Sequence, residues 1–169
     1  MSIITTNKKD KVLLVIGAGI ESIPGIKLAQ DMGLFVVATD GNKNAPGLFF
    51  ADDKIIVSTY AVEETVNLVK EYNRKIRKID GVICIASDVP VPVARVAKEL
   101  NLFGISVEAA KLATDKFAMK ERLKKDLVPI PWFSKIKNLD ELYKIIEEKN
   151  APLILKPVDS RGARGVFQI

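Results

Sequence analysis

The stretch "KVLLVIGAGIESIPGIKLAQDMGLFVVATD" (Lys11–Asp40) holds two unbroken apolar runs, separated by a glycine turn and a stretch of helical character. "KVLLVI" (Lys11–Ile16) is too short for a helix and does not alternate. It therefore reads as a strand buried on both faces, the mark of a parallel sheet. Gly17 stops it. "ESIPGIKLAQDMG" then reads as a helix, with Ser22 placed as its cap, Pro24 tolerated in the first turn and Gly33 as its end. "LFVVAT" (Leu34–Thr39) is a second buried strand, finishing at Asp40. Strand, helix and strand in about thirty residues make one right-handed crossover unit.

The alternation continues downstream. The polar loop "DGNKNAPG" leads to a short strand at "KIIVS" (Lys54–Ser58). An amphipathic helix runs from Val62 to Arg74, with Val62, Val66, Val69 and Asn73 along one side. "GVICIAS" (Gly81–Ser87) reads as a fourth buried strand, and the next helix opens around Pro90 and Pro92. This rhythm predicts a doubly wound parallel α/β sheet. It changes after Gly104. "SVEAAKLATDKFAMKERLKKDL" is largely helical and breaks near Thr114, where Thr114 or Asp115 can cap a new helix. "PIPWFSKI" is proline-marked and extended, "NLDELYKIIEEKN" is a helix with Asp140 and Glu141 near its start, and a strand–loop–strand follows. A boundary falls near Ala109–Thr114, giving a first domain over 1–110 and a second over 111–169.

The 169 residues are 48% hydrophobic and 28% charged, a soluble globular balance. One cysteine excludes an internal disulfide framework and a Cys-rich zinc site, and the absence of histidine removes a histidine base and histidine metal ligands. No segment has the apolar length of a membrane span. The lysines of "MSIITTNKKD" follow its apolar patch, the wrong order for a secretory signal. The expectation is a cytoplasmic protein with no membrane partner. A net charge of +5 suits anionic partners. The basic clusters "RKIRK" (Arg74–Lys78) and "MKERLKK" (Met119–Lys125) lie at helix ends or on solvated faces without interleaved aromatic residues, which argues against nucleic acid. Small phosphorylated ligands fit better.

Two glycine-bearing turns are candidates for holding such a ligand. Gly17-Ala18-Gly19 follows a strand and precedes a helix, and Asp40 ends the next strand about twenty residues on, as a nicotinamide-dinucleotide fingerprint would have it. The third glycine is missing, because Ser22 takes its place, and Glu21 beside it would repel a pyrophosphate. The turn also reads as one wall of a substrate cleft, since ligands of such sheets sit beyond the carboxyl ends of the strands. Gly17 to Ser22, Asp40, Ser87 and Asp88 all fall on that edge. The second turn, "DSRGARG" (Asp159–Gly165), sets two glycines, a hydroxyl and two arginines between apolar strands, with Lys156 ending the first strand. Backbone N–H groups and guanidinium donors there can surround phosphate oxygens, with Lys156 as a fixed point charge. No Lys-Ser or Lys-Thr follows Gly165, so it is not a Walker A loop.

"TDKFAMKERL", a proline-marked strand, a helix and "PLILKPVDSRGARGV" together resemble the ATP-grasp superfamily. The likeness is to its carbamoyl-phosphate-synthase-like, biotin-carboxylase-like and purine-pathway carboxylate–amine ligases. "ATDGNKNAPGLFFADDK" is similar to the loop after the second strand of their N-terminal domains. The resemblance implies a Rossmann-like pre-ATP-grasp domain followed by the beginning of an α+β ATP-grasp domain. It implies ATP contacts from Lys116, Lys156, Ser160, Arg161, Gly162, Ala163, Arg164 and Gly165, and, less directly, substrate contacts from Glu21 and Asp88. Gly17, Gly19 and Ser22 join these as candidate substrate-binding positions on the same sheet edge.

The resemblance further implies an ATP-dependent ligase working through an acyl phosphate on small carboxylate and amine substrates. The adenine-reading hinge and the Mg2+ ligands would lie beyond Ile169, so no metal ligand and no catalytic residue is assigned in this chain. The chain is then expected to be an N-terminal part, to need the remainder of the ATP-grasp domain, and to be inactive alone. Exposed strand edges in its tail also allow a homo-oligomer. A nicotinamide-binding domain and a non-catalytic metabolite-binding module remain the alternatives. Cys84 reads as a small core residue, Trp132 as a packing residue at a junction, and Asp52-Asp53 as carboxylates on opposite faces of a strand, unsuited to sharing a metal.

Overall fold

A computed structural model of the chain describes residues 11–159 and 162–169. They form two compact units that divide between Ala110 and Lys111. In the first, β1 (Val12–Ile16), β2 (Phe35–Asp40), β3 (Asp53–Ile56) and β4 (Gly81–Ile83) form one sheet in the order β3-β2-β1-β4. Every pairing is parallel, with Val12 opposite Phe35, Leu13 opposite Gly81 and Val37 opposite Asp53. Helix α1 (Ile23–Asp31) connects β1 to β2, a 3-10 turn at Pro46–Phe49 lies between β2 and β3, α2 (Val62–Lys75) connects β3 to β4, and α3 (Pro90–Glu99) follows β4. This is the α/β, Rossmann-like architecture expected from Lys11–Asp40.

The unbroken apolar runs have a direct cause. In β1, Leu14 and Ile16 join a core with Val66 and Val69 of α2 and Val96 of α3. Val15 points the other way, into a second core with Ile26 of α1 and Leu48. Successive side chains of a strand leave opposite faces, so a strand covered on both must be apolar throughout. Gly33, at φ +84, ends α1: its N–H donates to the Gln30 carbonyl at 2.8 Å and that of Leu34 to the Ala29 carbonyl at 3.0 Å, the paired bonds of a Schellman motif.

Four local expectations need correction. Ser22 does not cap α1; it lies in a short 3-10 turn, Ile20–Ser22, and its hydroxyl donates to the Gly19 carbonyl at 2.6 Å. The buried stripe of α2 is Thr65, Val66, Val69 and Tyr72, with Val62 and Asn73 only half-buried. Strand β4 stops at Ile83, four residues early. It is an outer strand paired only with β1, so no second neighbour holds residues 84–87 extended, and Ala86 turns to φ +54. Cys84 consequently lies past the strand, half-buried against the α2 and α3 side of the core.

Asp80 fastens the start of β1, accepting the Val12 N–H at 2.9 Å and the Lys11 ammonium at 3.2 Å. Burial alone would raise its pKa, but the backbone hydrogen bond and the lysine together outweigh it and hold the carboxyl below its ordinary value of 3.8. With the folded value depressed, the unfolded chain binds the proton more readily. The stabilisation is complete above the unfolded value and is lost as pH falls through the folded one. Asp80→Asn is therefore expected to cost about 1 kcal/mol at neutral pH and less in acid, a difference that urea unfolding at both extremes would read.

The second unit contains α5 (Lys116–Lys125), α6 (Leu139–Lys149) and an antiparallel pair, β5 (Ile154–Leu155) with β6 (Phe167–Gln168). Helix α4 (Val107–Thr114) crosses the division between the units. Asp115 caps α5, accepting the N–H groups of Phe117 and Ala118. Asn138 caps α6 by accepting the Glu141 N–H, while the Glu141 carboxylate reaches back to the Lys137 N–H. Leu153 and Ile169 exchange backbone bonds of 2.8 and 2.9 Å, extending the strand pair by one residue. Trp132 is 52% exposed rather than packed, with the Lys149 ammonium 4.4 Å from its ring centroid. No helix among the described residues is long and apolar enough to cross a membrane.

Candidate functional site

The first candidate lies at the carboxyl edge of the four-stranded sheet. Gly17 carries the chain out of β1 at φ +93 while its N–H still donates to the Thr39 carbonyl at 2.9 Å. A Cβ at Gly17 would lie 2.5 Å from the Ser87 hydroxyl, so the exits of β1 and β4 nearly touch. Asp40 locks the same turn. Its carboxylate accepts the Ala18 N–H at 2.9 Å and the Asn42 N–H at 2.9 Å. The loop after β2 folds over the turn, with the Gly47 N–H donating to the Ala18 carbonyl at 2.8 Å.

Ser22, 1% exposed, sits beneath Gly47 and holds the turn from inside. Glu21 and Asp88 are exposed on this edge, and the Glu21 carboxylate leans over Gly19. The edge therefore presents acid groups and a turn N–H already taken by Asp40. That arrangement suits a pyrophosphate poorly. Asp40→Ala is expected to destabilise the chain by about 1–3 kcal/mol by stranding the Ala18 N–H, and to leave NADH fluorescence in its presence unchanged. Thermal unfolding and a fluorescence titration check the two halves.

The second candidate lies within the second unit. Lys116 and Lys156, forty residues apart in sequence, line one open cavity of about 760 Å³. Its apolar wall includes Phe117, Phe133, Ile136, Leu142, Ile145 and Ile154. Lys116 opens α5, and its N–H donates to the Val158 carbonyl at 3.0 Å, two residues past Lys156. The Lys116 ammonium stands 3.4 Å from that same carbonyl. Lys156 is exposed at the end of β5.

Beyond Lys156, Gly162, Ala163 and Gly165 take φ values of +56, +57 and +71. These left-handed residues turn the chain sharply after Lys156 and leave the loop exposed. A Cβ at Gly165 would meet the Pro157 ring at 2.9 Å, so that position needs glycine to seat the loop beside Lys156. Arg164 is exposed in the loop; Ser160 and Arg161 lie outside the described residues.

Sequence reasoning missed two features of this cavity. Phe117 and Phe133 stack edge to face at 5.6 Å, and Lys120 and Lys135 lie over these rings. The lysine spacing of "KFAMK" puts Lys116 and Lys120 on one helix face, which was the available signal. The Lys116–Val158 link had none, since it depends on a chain reversal. The cavity is lined by four lysines, Lys116, Lys120, Lys135 and Lys156, among aromatic and aliphatic side chains. Among the described residues no group of three or more His, Cys, Asp or Glu side chains could hold a metal ion. Asp52 and Asp53 are committed elsewhere, to the Val36 N–H and the Tyr72 hydroxyl.

No protein-family model matches the chain. It is 23% identical over 171 residues to the carbamoyl phosphate synthase large chain of Thermotoga neapolitana, an alignment covering 94% of this chain and 15% of the synthase. Its fold matches the phosphoribosylglycinamide synthetase of Anaerococcus prevotii with a TM-score of 0.68 and 32% identity, covering 88% of this chain and 37% of that one. It also matches the fold of the N5-carboxyaminoimidazole synthetase of Staphylococcus aureus complexed with ADP, with a TM-score of 0.71 at 21% identity, over 99% of this chain and 44% of that one. The chain thus spans less than half the length of each of these proteins. In sequence and in fold it corresponds to the N-terminal portion of ATP-grasp ligases.

Proposed function

We propose that the chain is the N-terminal part of an ATP-dependent carboxylate–amine, or related, ligase, and that its second unit supplies one side of the ATP site. The observation that carries this reading is the convergence of Lys116 and Lys156 on one cavity wall beside a glycine loop of left-handed residues. In the reaction, a carboxylate oxygen attacks the γ-phosphorus of ATP, the bond to the β-phosphate oxygen breaks, and ADP leaves. An amine then adds to the acyl carbon of the acyl phosphate, and inorganic phosphate departs as the new carbon–nitrogen bond forms.

Phosphoryl transfer asks the protein mainly for positioning and charge neutralisation. Lys116 and Lys156 offer fixed positive charge to the phosphates, and the 160–165 loop offers N–H donors and guanidinium groups. On the substrate side, Glu21 and Asp88 face the edge where the acid or the amine would sit, shaped from behind by Gly17, Gly19 and Ser22. Mg2+, when bound to the complete enzyme, would neutralise phosphate charge; among the described residues no cluster of three or more His, Cys, Asp or Glu side chains could hold it. A cytoplasmic setting, with the remainder of the ATP-grasp domain as the necessary partner, follows from the same reading.

This chain alone is expected to bind ADP or ATP weakly and to show no ligase turnover. Incubation of the pure chain with ATP and candidate carboxylates, followed by phosphate detection, checks it. ATP-dependent phosphate release that Lys156→Ala abolishes would show that the chain is catalytically sufficient, against this account.

A further inference from the structure

Building on the nucleotide reading above, we propose that Asp115 is a positioning residue that holds Lys116 toward the phosphates. Asp115 is extended, at φ −104 and ψ 104, and its Oδ1 accepts from the N–H groups of Phe117 at 2.9 Å and Ala118 at 2.8 Å. Lys116 lies between the acceptor and the two donors, so the cap fixes the backbone from which its side chain departs. Its own N–H is free of the helix and donates to Val158 at 3.0 Å, tying the start of α5 to the segment that carries Lys156. The Asp115 carboxylate and the main-chain bond to Val158, whose carbonyl the Lys116 ammonium also approaches at 3.4 Å, thus tie the two lysines' segments together.

Packing is thinner in the second unit, where the Phe117–Phe133 ring pair is half-buried. No described residue from Lys111 to Ile169 is fully buried, whereas the first unit has two apolar cores. Directional polar bonds therefore add to the ring contact in fixing the start of α5. The location also asks for a reason: a carboxylate next to a polyphosphate site repels the ligand, and an uncharged cap would stabilise α5 as well. The cap geometry explains the acceptor, and it separates the effects of shape and charge in an experiment.

The test is an ADP titration of the whole chain followed by amide resonances in 15N NMR, in wild type and three variants. Asp115→Asn keeps the cap and removes the charge; it is expected to bind ADP within about twofold of wild type or more tightly. Asp115→Ala removes the cap; it is expected to weaken binding about three- to tenfold and to speed hydrogen exchange at the Lys116 amide. Asn138→Ala deletes the comparable cap of α6, and ADP binding should be unchanged. Equal or tighter binding in Asp115→Ala would overturn the proposal, because Asp115 would then act by charge or not at all. Equal weakening in Asn138→Ala would also overturn it, showing general loosening of the unit. If wild type itself shows no response at Lys116 or Lys156, the nucleotide reading fails first; if wild type responds and Asp115→Ala matches it, only the positioning role falls.

Discussion

Replacing both Lys116 and Lys156 with alanine is expected to remove nucleotide binding by this chain altogether. Each ammonium lines the same cavity, and the other two lysines there, Lys120 and Lys135, are engaged over the Phe133 and Phe117 rings. A hydrogen bond from a charged donor to a phosphate contributes about 1.5–3 kcal/mol, so each single variant should lose about ten- to a hundredfold in affinity. Starting from a weak complex, on the order of 1 mM, the double variant falls beyond measurement. Lys156 is exposed and Lys116 half-buried, and both lie outside the two apolar cores, so the fold of the first unit should be unaffected. Calorimetric titration with ADP, beside a circular dichroism melt, separates lost binding from lost structure. Unchanged affinity in the double variant would move the nucleotide away from this cavity.

The largest expected effect on stability comes from Gly17→Val. At φ +93 a side chain is strained wherever its Cβ points, and this Cβ would stand 2.5 Å from the Ser87 hydroxyl and 3.1 Å from the Ser87 Cβ. The backbone cannot easily move aside, because the Gly17 N–H is tied to Thr39 and the next residue to Asp40. Backbone strain of about 1–3 kcal/mol and overpacking of similar size give an expected loss of about 2–6 kcal/mol. That is a large part of the stability of an ordinary domain. Urea unfolding measures it. Gly17→Val combined with Ser87→Ala should recover part of the loss by clearing the hydroxyl, which places the clash where the geometry puts it. A Gly17→Val protein as stable as wild type would mean that the exits of β1 and β4 are not in contact.

The first unit was legible in the sequence because its strands are covered on both faces and so advertise themselves as apolar runs. Lys11–Asp40 showed β1, α1 and β2 to within a residue or two. The fourth strand reads too long for the same reason: "GVICIA" is an unbroken run of apolar residues and glycine, but a strand at the sheet's outer position is held from one side only, and its pairing with β1 ends at Ile83 opposite Val15. Residue type and spacing point to Ser22 as a cap, but its hydroxyl bonds back to Gly19 inside the 3-10 turn, with Gly47 of a later loop close above it. Asp115 was legible as one of two possible caps because capping is local. The Lys116–Val158 bond was not, since it joins segments that only the chain's return brings together. The two lysines were found through resemblance and motif. Their shared cavity emerged only from the fold.

The most direct test of the central claim is the map of amide shifts on adding ADP to 15N-labelled chain. The account places the perturbations at Lys116, Lys156, Val158 and residues 162–165, with the Gly17–Ser22 turn and Asp40 unmoved. Shifts centred on Gly17, Ala18, Gly19 and Asp40, with the second unit silent, would contradict it and return the chain to the dinucleotide or metabolite-binding readings.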